Sequence, residues 1–110
     1  MLKADFRKLV LTHLTVIDGT EDPSADDAAT MDLFIDGVRA ELLENGVCWW
    51  GEDAIPTAVS VPLMLVVAAQ AACSFGKAGR GHEAQEDGGR KRLNRLRSTE
   101  ERPTTQVEYF

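Results

Sequence analysis

From Ala54 to Gly76 the chain carries no charged residue. A stretch of that length either crosses a bilayer or is enclosed by protein, because it has no polar face to turn to water. Pro56, Pro62, Gln70 and several small or hydroxyl residues argue for the second: a helix buried on all sides in a small α-helical domain. Pro62 is expected to kink that helix or shift its effective start, since it offers no N–H to the preceding turn. The remaining segments must then supply the surfaces that cover it.

Two of them have the right periodicity. Over residues 2–14, Leu2, Phe6, Leu9, Val10 and Leu14 fall on one helical face, with Lys3, Asp5, Arg7, Lys8 and Thr12 on the other. An acidic turn follows, marked by Gly19 and Pro23. Its carboxylates miss the alternating ligand pattern of an EF-hand, so it reads as the approach to a helix. Ser24 is placed to cap that helix, with Asp27 three residues on and Asp26 beside it in the first turn. Ala28, Met31, Phe34, Ile35, Val38 and Leu42 form its apolar stripe, while Asp32, Asp36, Arg39 and Glu44 face outward. Gly46 suits a left-handed helix end. "VCWW" is the hinge before the uncharged run. Trp49 and Trp50 are adjacent and so point in different directions, one into the core and one onto a helix end or a partner. A fourth helix in "HEAQEDGGRKRLNRLRS" is predicted to be weaker, since only Ala84, Leu93 and Leu96 are apolar and Gly88-Gly89 interrupts it.

The expected fold is therefore all-α. Residues 1–98 make a small helical bundle of three main helices plus the weaker fourth, and residues 99–110 make an extended C-terminal arm. At 110 residues the chain is large enough for one core. Pro103 discourages helix, and "TTQVEY" has strand composition. Val107, Tyr109 and Phe110 are unusual on a polar tail. They are candidates for adding to a partner's sheet edge or groove.

The chemistry of catalysis is not legible. His13 and His82 lie in unrelated segments, Cys48 and Cys73 form no cluster with metal spacing, and Cys48 has no base nearby in sequence. No phosphate loop or nucleophile motif is present, and no cofactor is implied. The chain is thus expected not to be an enzyme. "MLKADFRK" is charged with no apolar stretch behind it, so a secretory leader is not expected, and synthesis falls to the cytoplasm with free thiols.

Charge is distributed unevenly within a formal net of -6. The acidic residues crowd the segments before Arg90, a body that repels phosphate and suits a surface past which DNA slides without sticking. Arg90, Lys91, Arg92, Arg95 and Arg97 then follow with no carboxylate among them. These five are candidates for binding an acidic protein surface first and DNA second.

Taken in order, "PSADDAATMDLFIDGVRAELLENGVCWW", "DAIPTAVSVPLMLVVAAQAACSFG" and the "RLNRLR…VEYF" ending resemble the small head-to-tail adaptors of tailed phages and related gene-transfer particles. These are also called connector or head-completion proteins. The resemblance implies a structural virion protein of the neck, at the capsid-tail junction, made in the host cytoplasm. It implies a ring, commonly of twelve copies, whose arms reach the portal protein. A tail or stopper protein lies on the other side, and double-stranded DNA passes through the lumen without sequence-specific binding. No membrane is involved in that reading. The competing one is a small helical DNA-binding regulator that uses the basic helix 90–97. Such a protein calls for basic charge spread over folded helices rather than held in one late block.

Overall fold

The capping residues define where the helices start and stop. Ser24 Oγ accepts from Asp27 N at 3.2 Å and opens a helix over Ala25–Glu44. That helix ends at Asn45, where Gly46 takes φ +73° and Val47 N returns to Leu42 O at 2.8 Å. The first helix, Lys3–His13, closes by the same pair of reversed hydrogen bonds, Thr15 N to Thr12 O and Val16 N to Leu11 O. Here the left-handed position is held by Thr15, at φ +59°. No glycine marks this stop in the sequence.

These elements are α1 (Lys3–His13), α2 (Ala25–Glu44), α3 (Thr57–Ala71) and α4 (His82–Glu108), with a 3₁₀ turn over Ala72–Phe75 extending α3. The computed structural model describes residues 1–79 and 81–108, and side chains up to residue 97. No strand occurs among the described residues. Ion pairs Lys3–Asp36, Arg7–Asp32 and Lys8–Asp22 run α1 and α2 antiparallel. Met1 N donates to Ile55 O at 2.8 Å and Ile55 N to Met1 O at 3.0 Å, which ties the start of α1 to the approach to α3.

The uncharged run is the core. Val59, Leu63, Val66, Val67, Ala68 and Ala71 of α3 are buried, and α3 packs against α1, α2 and α4. Thr57–Phe75 is long and apolar enough to cross a membrane by length and composition. In this fold most of its apolar surface is covered by Phe6, Val10 and Leu11 of α1, Met31, Ile35, Val38 and Leu42 of α2, and Leu93 of α4, but it is not buried on all sides, since Ala58 and Val61 are exposed. Each such side chain contributes roughly 1.5–3 kcal/mol on leaving water. α3 is continuous through Pro62, at the cost of one donor, the one that Ala58 O would accept from.

Several expectations are corrected here. Leu2 is exposed, and Leu11, outside the predicted stripe, is buried. Phe34 and Ala28 are only half-buried at the edge of the α2 stripe. The fourth helix is not weakly attached: α3 with α4 is the most extensive helix pair. Gly89, read from sequence as an interruption, is the reason. A Cβ at that position would lie 2.6 Å from Pro62 O and 3.2 Å from Val66 Cγ2, so only glycine lets the two backbones approach this closely. The extended arm is also not what the described backbone shows, since α4 continues through residues 99–108. Once a helix is nucleated, each added residue brings its own hydrogen bond, so Pro103 subtracts one bond without breaking the run. Tyr109 and Phe110, and the side chain of Val107, lie outside the described residues.

The two adjacent glycines make opposite predictions. Gly89→Ala should destabilise by about 1–3 kcal/mol, because overpacking against the Pro62 carbonyl exceeds the gain in helix propensity. Gly88→Ala meets nothing within 4 Å and should stabilise by up to about 1 kcal/mol. Urea denaturation of the two variants checks both signs.

Candidate partner-binding surfaces

The basic block lies on α4, where 100° per residue sends its side chains to different neighbours. Arg90 turns toward α2. Its Nε meets Glu86 Oε2 at 2.9 Å and its Nη2 meets Glu41 Oε1 at 3.0 Å. Burial alone would lower its pKa, but the hydrogen bonds to Glu86 and Glu41 outweigh that and hold it above the ordinary arginine value. Arg97 points the same way and lies beside Gly46 at the end of α2, with its Nε buried. Its charge thus sits where the carbonyl end of a helix dipole favours a cation. Lys91 makes an exposed pair with Asp87 at 2.9 Å. Arg92 and Arg95 lie on the opposite flank, where with Ala58 and Leu96 they line an open groove of about 360 Å³. The five basic residues therefore do not form one patch.

At the hinge, Trp50 is the core residue, 6 % exposed, and Trp49 stands 45 % exposed. Their rings meet edge to face at 5.7 Å and 87°. Trp50 O accepts from Arg39 Nη2 at 3.2 Å and from Cys48 Sγ at 3.6 Å. Arg39, expected to face outward, is thus drawn in to satisfy the hinge backbone, and Cys48 is buried. Nearby, Lys3 Nζ joins Asp36 at 2.6 Å and Glu52 at 2.8 Å. The hydrogen bond to Asp36 does most to raise the Lys3 pKa, followed by the one to Glu52. In the acidic turn, the Thr20 hydroxyl and N–H hold the Asp18 carboxyl below its usual range.

The opposite end of the bundle has a smaller cleft of about 250 Å³ where exposed Cys73 meets His82, Glu83 and Glu86. His82 Nε2 is 3.0 Å from Lys77 O. Among the described residues no group of three His, Cys, Asp or Glu side chains is placed to hold a metal ion.

Sequence periodicity did not single out the exposed apolar side chains. Leu33, on the outer face of α2, is 74 % exposed, and Val61 on α3 is 44 % exposed. A pattern shows which residues share a face, but which faces find neighbours depends on how the helices are arranged. Comparison with protein-family models, curated proteins and solved structures finds no match for the chain.

Two tests follow. Arg90→Ala removes a half-buried charge from two carboxylates and should cost about 1–2 kcal/mol, whereas Arg92→Ala should fall within about 0.5 kcal/mol of the native chain in thermal unfolding. For Lys3, a raised folded pKa means stabilisation that is complete below the unfolded value of about 10.4 and lost as pH rises through the folded one. The stability gap between the native chain and Lys3→Gln should therefore be flat from about pH 7 to 9 and close only in stronger alkali.

Proposed function

We propose that this chain is a structural subunit of a virion neck, an adaptor joining the portal at the capsid vertex to the tail. In this role it assembles with itself into a ring, commonly of twelve copies, with a tail or stopper protein beyond and DNA passing through the lumen. The observation that carries the reading is the division of the basic block. Arg90 is paired with Glu41 of α2, Arg97 lies against the end of α2 at Gly46, and Arg92 and Arg95 flank apolar Ala58 and Leu96. A groove of that composition suits a protein surface with carboxylates and apolar side chains better than it suits a phosphate track, which needs cations in series. The rest of the chain is acidic in net charge, which suits a wall past which DNA moves without sticking.

The C-terminal segment 99–110, with Val107, Tyr109 and Phe110, serves in this reading as the arm that contacts the portal. One arm binds weakly, and a ring of arms binds strongly because the contacts are linked. Truncation after Arg102 should leave the stability of the isolated chain within about 0.5 kcal/mol and abolish attachment to the particle, as read by co-sedimentation with portal-bearing capsids. Loss of stability without loss of attachment sinks the arm assignment. Tight duplex-DNA binding with a steep salt slope, lost on reversing Arg92 and Arg95, supports the regulator instead.

A further inference from the structure

Two faces of this molecule are built to fit each other. The outermost line of α2 runs Asp26, Leu33, Gly37, Ala40 and Glu44, all exposed. Its centre is apolar or small, its two ends are carboxylates, and it holds no basic residue. Asp26 and Glu44 make no ion pair among the described residues. Among the described residues Leu33 is the most exposed large apolar side chain, and Gly37 has open space where a side chain would be. A neighbouring helix can therefore come close at that point.

The second face is the outer groove between α3 and α4. Ala58 and Val61 stand one turn apart on α3, which has no charge of either sign. Leu96, Arg92 and Arg95 of α4 line the groove with Ala58, and Val61 is exposed one turn further along α3. The α4 positions that share this flank, Gln85, Gly88, Arg92 and Leu96, include no carboxylate. The groove is thus apolar along its floor and positive at its edge.

We infer that the α2 face of one copy docks into the α3/α4 groove of the next. Leu33 is buried against Val61 and Leu96, and an α2 carboxylate, Glu44 or Asp26, meets Arg92. Charge decides the occupant: the acidic-ended apolar stripe that complements the groove is on this same chain, and two stripes or two grooves placed face to face would oppose like charges. The contact is heterologous, so it repeats from copy to copy and closes into a ring if the rotation allows. This deepens the self-assembly in the proposed neck role and rests on it only for the choice of ring over open filament. Burial of Leu33 and Val61 supplies most of the affinity, and the rim charges set register and encounter rate.

A mixing experiment reads the two faces separately. Leu33→Glu disables the stripe, and Val61→Glu with Arg92→Glu disables the groove. These positions are exposed, and circular dichroism confirms that each variant folds. In sedimentation velocity the native chain should form species larger than a dimer as concentration rises. Each variant alone should need about a tenfold or greater increase to associate. An equimolar mixture should form a 1:1 dimer that grows no further, because one good stripe and one good groove remain. Variants that assemble like the native chain, or a mixture that stays monomeric while the native chain assembles, overturn the pairing of faces. In that case the arm-dependent attachment to capsids still stands or falls on its own. A native chain monomeric to millimolar concentration overturns both the pairing and the ring.

Discussion

The close approach of α3 and α4 at Gly89 is the contact on which the rest of the bundle depends. α3 carries no charge to turn to water, so most of its surface must be covered, and α1 and α2 reach only part of it. With a Cβ at position 89 the helices would be pushed apart at the Pro62 carbonyl. Leu93, one turn further on, would then lose the fully buried place it has among the α3 side chains. The same crossing decides the fate of the basic block. It fixes the rotation of α4, and that rotation sends Arg90 and Arg97 to α2 and Arg92 and Arg95 to the outer groove.

Pro62 and Gly89 form a matched pair of local sacrifices. Proline forgoes a hydrogen bond inside α3, and glycine forgoes helix propensity inside α4, each of which weakens an isolated helix. Both become tolerable because the helix is held by its neighbours rather than by its own propensity. The polar residues serve the same end. Lys3, Arg7 and Arg90 each reach a carboxylate on another helix and fix the order in which the helices lie. They bring little energy at a solvated surface, and their use is in register.

Much of this was legible in the sequence. The all-α class, the cap at Ser24, the left-handed Gly46 and the burial of the uncharged run each follow from local chemistry or from a pattern within one helix. The errors share a different origin. Leu2 lies in register with the α1 stripe but beyond the reach of its neighbours, so it is exposed. Thr15 holds a left-handed position that usually calls for glycine, because the returning hydrogen bonds to Leu11 and Thr12 hold it there. Gly88-Gly89 reads as a break until the partner helix is present. Despite the strand composition of "TTQVEY", the helix already formed continues as far as residue 108.

What the sequence by itself determined is which side chains must leave water and where helices begin and end. Those follow from periodicity and from the hydrogen-bonding needs of helix termini, both of which act over a few residues. Only the tertiary structure decided which of the two tryptophans is buried, which arginines are held internally, and which apolar residues are left on the outside. Each of those depends on the rotation of one helix against another, set by close packing between residues such as Gly89 and Pro62 that lie far apart in the chain.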